Sequence, residues 1–169
     1  MAKKKKVNKD LLFVVTVAAM ALGLMAFVAM FFPAVKMTFD GGILGTAESE
    51  VSGILAVFGG KITEGNEHFQ FTVAEYGFNT FAFIGYLLPL LAIPLSYLAF
   101  KNKNNLFSFV AIALSLVGAI LIFLQPSLFA SINEINENVV CSALVGPILG
   151  GIFAILAGLA NGAVVYLKK

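Results

Sequence analysis

The sequence predicts an all-α membrane protein, a bundle of four transmembrane helices with a small β-rich domain in one extracellular loop. Hydrophobic residues make up 60% of the chain and charged residues only 12%, whereas soluble domains average about 25% charged. The charges cluster between long apolar runs, as is typical of membrane proteins. The longest segment between those runs alternates apolar and polar residues in two places, as half-buried strands do.

Four segments are long and apolar enough to cross a membrane, for which a helix needs about 20 residues. They cover residues 11–35, 80–100, 106–124 and 143–167, and none contains Asp, Glu, Lys or His. Because backbone groups in lipid must be satisfied within their own segment, each span is predicted to be helical. The chain is therefore expected to be one membrane domain, 1–169, with outer loops at 36–79 and 125–142.

The first span also begins like a signal peptide. Lysines precede it, and Ala19-Met20-Ala21 resembles a cleavage site. Signal sequences have apolar regions of only about 7–15 residues, whereas this run continues well past Ala21. We therefore expect an uncleaved helix.

Five prolines fall in or near the spans. Pro89 and Pro94 lie inside the second span, where they indicate either a packing kink or a hinge. Pro33 and Pro126 are expected to end or bend helices. Pro147 falls in the first turns of the fourth span, where a proline disrupts a helix least.

The distribution of lysines predicts the orientation. Nine lysines lie on one side of a four-span chain and two, Lys36 and Lys61, on the other; the nine are Lys3, Lys4, Lys5, Lys6, Lys9, Lys101, Lys103, Lys168 and Lys169. A lysine excess marks the cytoplasmic side, so both termini are predicted to be cytoplasmic in a multi-pass protein of the cell membrane. Such lysines can contact anionic lipid heads, and no nucleic-acid partner is expected.

The first outer loop is predicted to contain a small sheet. Residues 35–39 and 68–73 alternate apolar and polar side chains, and we expect the 36–39 and 68–73 regions to pair because both ends of the loop return to adjacent helices. Residues 54–58 fit either a third strand or a short interfacial segment. Glycines at 41–42 and 59–60 indicate turns. In the second outer loop, residues 131–134 match the cap that begins a helix.

Small residues recur every fourth position along the fourth span and predict a close helix contact. The third span has a similar face, and Ala19 and Gly23 give the first a shorter one. The stripe fits packing inside the bundle, or else a face for a second copy or a partner. The helix-packing residues are Gly146, Gly150, Ala154, Gly158 and Gly162 with Ser108, Ala111, Ser115 and Ala119.

No residue set suggests an enzyme, a metal site or a cofactor. Ion pathways usually place ionisable residues inside the membrane, and Asn161 is the only amide within a predicted span. His68 is the only histidine, and its neighbours do not supply a metal-ligand spacing. Cys141 is the only cysteine, which excludes an intrachain disulfide, and we expect it to behave as a small hydrophobic residue. No catalytic residue is predicted.

The order of helix, β-rich outer loop, helix, short inner turn, helix, smaller outer loop and helix resembles the claudin-like four-helix membrane proteins along the whole chain. The claudin signature of that loop, a tryptophan with a Gly-Leu-Trp run and a cysteine pair, is absent, because the chain has no Trp and Cys141 lies elsewhere. The resemblance therefore implies the topology and not paracellular function. Residues 31–35, 51–53, 57–60 and 122–126 also resemble small four-span proteins of low-GC bacteria, which implies no particular activity.

The sequence thus favours a structural or accessory integral membrane protein that acts through its extracellular loop and small-residue helix faces. Its expected partners are the lipid bilayer and either another membrane protein or a second copy. The alternative is a passive channel or small-solute transporter formed by an oligomer. A membrane enzyme ranks last, because no residues can be named for it.

Overall fold

A computed structural model describes residues 9–40, 45–66, 69–102 and 104–168. The lysines at 3–6, the turn at 41–42 and His68 lie outside these residues.

Within the described residues, four helices are long and apolar enough to cross a membrane. They are Lys9–Val28 (α1), extended by a 3-10 turn over Ala29–Phe31, then Thr80–Lys101 (α3), Leu106–Phe123 (α4) and Val145–Leu167 (α6). The first helix stops before the predicted end at 35, because a strand begins at Pro33. The last begins at Val145 rather than 143, because residues 139–143 also form a strand.

The four long helices form a square bundle. Each of α1 and α4 packs against both α3 and α6. Small residues face the interior; those of α1, for example, are Thr16, Ala19, Gly23 and Ala26. Large apolar side chains such as Phe13, Phe109 and Leu159 face outward. This arrangement suits a lipid environment, where close backbone approach rather than burial of large side chains holds helices together.

Strands from both loops build one sheet at the end of the bundle away from the termini, which we call the sheet end. Its strands are Pro33–Asp40 (β1), Thr46–Ser52 (β2) and Val139–Ala143 (β5). β1 is the central strand and pairs antiparallel with both neighbours. The second loop therefore completes the sheet begun by the first, which the sequence did not predict.

A separate hairpin consists of Gly60–Asn66 (β3) and Phe69–Tyr76 (β4). The predicted pairing of residues 36–39 with 68–73 is wrong, although β1 and β4 cover most of both regions. Pairing neighbours across a short connection closes a smaller loop than pairing β1 with β4, so it costs less chain entropy.

Two short helices complete the sheet end. Residues 54–58, for which the sequence allowed a strand or an interfacial segment, belong to the helix Gly53–Phe58 (α2). Its N-terminus is capped by the Ser52 hydroxyl, which accepts a hydrogen bond from the Leu55 amide (3.4 Å). Helix Gln125–Ile132 (α5) ends within residues 131–134, so the motif predicted to begin a helix instead lies at the end of one.

The end of the bundle that carries the termini, the terminal end, is held by a lysine. The Lys168 ammonium donates hydrogen bonds to the carbonyl oxygens of Ala99 and Asn102 (2.9 Å for Asn102) at the end of α3. A cation is favourable there because the helix dipole is negative at its C-terminus. Partial burial lowers the pKa of Lys168 from its ordinary value.

Candidate interaction surface at the sheet end

The small-residue stripe of α6 faces other helices along most of its length. A Cβ added to Gly150 would lie 3.0 Å from the Tyr86 ring and 3.3 Å from Ala29. One added to Gly146 would lie 3.0 to 3.1 Å from backbone carbonyls of residues 29, 32 and 33. Ala154 is fully buried. Gly158 and Gly162 are less constrained: an added Cβ would make ordinary contact at Gly158 (3.5 Å) and would meet nothing within 4 Å at Gly162.

The matching face of α4 is fully or nearly fully buried at Ser108, Ala111, Ser115 and Ala119. At Gly158 an added Cβ would lie 3.6 Å from the Ser115 Cβ, so the two stripes meet there. Within the described residues, the hydroxyls of Ser108 and Ser115 have no hydrogen-bond partner, nor does the Asn161 carbonyl oxygen. Polar groups thus line the α4–α6 contact towards the terminal end without carrying a charge.

A close contact between α3 and α4 involves Gly85, Pro89 and Gly118, none of which belongs to the predicted small-residue faces. Pro89 has no amide proton to donate to the carbonyl of Gly85, four residues earlier. Gly118 of α4 lies beside that carbonyl. A Cβ added to Gly118 would be 2.8 Å from the Gly85 carbonyl oxygen and 2.6 Å from the Pro89 ring. Gly23 of α1 also lies beside α3. A Cβ added to Gly23 would be 2.8 Å from the Pro89 carbonyl oxygen. Pro89 is therefore packed between α1 and α4, and α3 continues as one helix through it.

A buried polar pair closes the bundle beneath the sheet. The Tyr86 hydroxyl donates a hydrogen bond to Oε1 of Gln125 (2.9 Å), and both side chains are fully buried. Asn79, also fully buried, accepts from the Ala82 amide (3.0 Å) and caps α3. Gln125 was assigned to a loop from the sequence, because a polar residue beside Pro126 carries no signal of burial.

No catalytic or metal-binding arrangement emerges from these groups. Among the described residues, no three His, Cys, Asp or Glu side chains lie close enough to hold a metal ion. Cys141 sits half-buried on β5 beside the sheet core, and burial raises the pKa of its thiol. A raised pKa keeps the thiol protonated near neutral pH and therefore poorly nucleophilic.

The sheet has one covered face and one open face. Val35, Met37 and Val51 are buried on the covered face, where they pack with Phe129 of α5 and Ala56 of α2. The side chains of the open face come from alternate positions of the three strands: Lys36, Thr38, Glu48, Glu50, Val140 and Ser142. Lys36 forms an ion pair with Glu48 (2.8 Å) on this face. Among the described strands, β2 lies at an edge of the sheet, so one row of its backbone groups has no described strand beside it.

The β3–β4 hairpin projects from the bundle. Its strands make most of their contacts with each other, and Lys61, Thr63, Thr72, Val73 and Glu75 are exposed. An ion pair joins Lys61 to Glu75 (3.2 Å).

The hairpin is fixed to the rest of the protein at its base. The Tyr76 ring packs on Phe129, with ring centroids 5.0 Å apart, and the Gly77 amide donates to Asn133 Oδ1 (2.7 Å). Gly59 begins the hairpin at φ 70°, where an added Cβ would overlap the carbonyl of Tyr76. A two-stranded hairpin is only marginally stable alone, so these contacts at its base help to hold the hairpin in place.

No known protein family matches the sequence, and no match was found among curated proteins or solved structures.

Proposed function

We propose that this chain is a structural or accessory protein of the cell membrane, which binds another protein through its sheet end. Both termini lie in the cytoplasm in this proposal, and the sheet end lies outside. The projecting β3–β4 hairpin carries the proposal. Within the described residues, its two strands contact mainly each other, and Tyr76 packs on Phe129 at its base.

The open face of the sheet supports the same proposal. It lies on the same end of the molecule and presents an edge strand, β2, whose side chains are exposed except at Val51. Extended partner segments commonly add to such an edge through backbone hydrogen bonds. The sheet end therefore offers two features suited to protein recognition.

The bundle interior favours this role over the alternative of a passive channel within one copy. Its helices approach so closely at Gly23, Gly85, Gly118 and Gly150 that an added Cβ would press on a neighbour at 3.0 Å or less. Among the described residues, the buried polar side chains towards the terminal end carry hydroxyl or amide groups. A pore formed between several copies remains the alternative, and it requires contacts through the helices rather than through the hairpin.

Cysteine labelling tests the orientation. In a Cys141→Ser background, Ser49→Cys places a thiol on exposed β2, and Asn102→Cys places one at the terminal end of α3. We expect a membrane-impermeant maleimide to label Ser49→Cys in intact cells, and to label Asn102→Cys only after the membrane is permeabilised. The lysine distribution is the reason. The reverse labelling pattern would overturn the orientation.

Site-specific photo-crosslinking tests the binding surface. A photoreactive amino acid replaces Val73, which is 52% exposed on the hairpin, and in a matched variant replaces Val117, which is 49% exposed on α4. We expect a protein adduct of discrete mass from position 73 and none from position 117. Adducts from position 117 alone would place the contact on the helices and favour the oligomeric channel. The absence of adducts from both positions would contradict the proposal.

A further inference from the structure

Helix α2 lies in the middle of the first loop, yet it is tied to the ends of two long helices. The Gly53 amide donates a hydrogen bond to the Phe32 carbonyl just beyond α1 (2.9 Å). The Asn79 amide, at the start of α3, donates to the Val57 carbonyl (2.8 Å). These two bonds fix both ends of α2 at the level where the long helices end.

The inner side of α2 is shared between the two cores of the protein. Val57 is fully buried with Met30, Ala82 and Tyr86 in the bundle core. Ala56 is fully buried in the sheet core. The helix therefore cannot lift away from the bundle without opening both cores.

The outer side of α2 is apolar and exposed. Ile54 and Phe58, one helical turn apart, are 44% and 45% exposed. The Phe58 ring lies against Phe78 and Phe83, with centroid distances of 6.2 and 5.7 Å. Phe83 is three residues past the start of α3 at Thr80, which corresponds to about 4.5 Å along the helix axis. Phe58 thus sits at the depth of the first turn of a span.

We propose that α2 lies in the membrane interface and that Ile54 and Phe58 contact lipid acyl chains. This inference rests on the proposal that the bundle crosses a membrane. Continuity of the apolar surface favours lipid as the occupant, because the exposed rings of Phe78 and Phe81 join Phe58 to the outward face of α3. Helices that lie in the membrane interface bury an apolar face at the boundary between headgroups and acyl chains.

A single tryptophan reports the depth of this surface directly, because the protein contains no other tryptophan. Phe58→Trp is purified and reconstituted in phosphatidylcholine vesicles, with bromine either high on the acyl chain or near its end. We expect stronger quenching by the bromines near the headgroup and little quenching by aqueous iodide. Phe78→Trp serves as a second reporter of the same patch if Phe58→Trp does not fold.

Two matched reporters separate this inference from the membrane proposal on which it rests. Val117→Trp on α4 is expected to be quenched by brominated lipid, and Val73→Trp on the hairpin by iodide. If Val117→Trp is not quenched by brominated lipid, the membrane-spanning bundle itself is overturned. If Val117→Trp is quenched but Phe58→Trp responds only to iodide, α2 faces water and this inference alone fails. If Phe58→Trp responds to neither quencher, protein rather than lipid covers the patch, and the inference also fails.

Discussion

Gly53→Ala is expected to lower the free energy of unfolding by about 3 kcal/mol, at the upper end of the usual cost of overpacking. A Cβ at this position would overlap the Met30 carbonyl oxygen and lie 2.6 Å from that of Phe32. Both obstacles are backbone atoms, so no side-chain rotation can make room. The methyl group would force α2 away from the end of α1 and stretch the hydrogen bond from the Gly53 amide. Thermal or denaturant unfolding of the purified protein in detergent measures the loss.

Gly162→Ala provides the control for the same chemical change. An added Cβ there meets nothing within 4 Å, and alanine is the better helix former by about 1 kcal/mol. Its stability should therefore equal or exceed that of the unmodified protein. If Gly53→Ala unfolds at the same temperature as Gly162→Ala, α2 does not pack against α1 as the structure shows.

Gly118→Ala is the second substitution expected to have a large effect, a loss of about 2 kcal/mol in the free energy of unfolding. The added methyl carbon would lie 2.6 Å from the Pro89 ring and 2.8 Å from the Gly85 carbonyl oxygen. That carbonyl has no amide donor four residues later, since residue 89 is proline. The substitution would push α3 and α4 apart at this contact, and this cost exceeds the gain in helix propensity.

Gly158→Ala is the matched control in the neighbouring helix, because its Cβ would make only ordinary contacts, 3.5 to 3.6 Å, with Leu116 and Ser115. We expect its stability to be unchanged or raised by up to about 1 kcal/mol. A larger loss for Gly158→Ala than for Gly118→Ala would show that the α4–α6 contact is the tighter one. The larger change Gly158→Leu is still expected to destabilise the bundle more than Leu159→Ala, whose side chain faces outward.

These glycines illustrate how much of the packing could be predicted from the sequence. A four-residue repeat directs attention to α6, since it places small residues on one helix face. It does not rank the positions, because the available space depends on the neighbouring helix. The tight contact at Gly118 lies outside that repeat. It depends on Pro89 and Gly85, which stand four residues apart on a different helix.

The strands, too, could be predicted from the sequence only in part. Four apolar runs without charges predict four helices, because runs of about 20 apolar residues fit a membrane-spanning helix and are too long for a membrane-spanning strand. Alternation predicts that residues 35–39 form a strand, but it does not specify the strand beside it. β5 was missed because its residues, 139–143, run directly into the apolar residues of the last helix. Five apolar residues at 54–58 fit a strand or a helix equally well until their contacts are known.

β1 pairs with β2 from its own loop and with β5 from the second loop, so its two neighbouring strands are synthesised at different times. Phe39 pairs with Val139, so the central strand is made about 100 residues before its second neighbour. At usual elongation rates this interval lasts roughly 5 to 20 s. Throughout it, one edge of β1 is open and able to pair with other nascent chains. A chain interrupted before β5 is complete lacks the strand that covers this edge, so the edge of β1 stays unpaired.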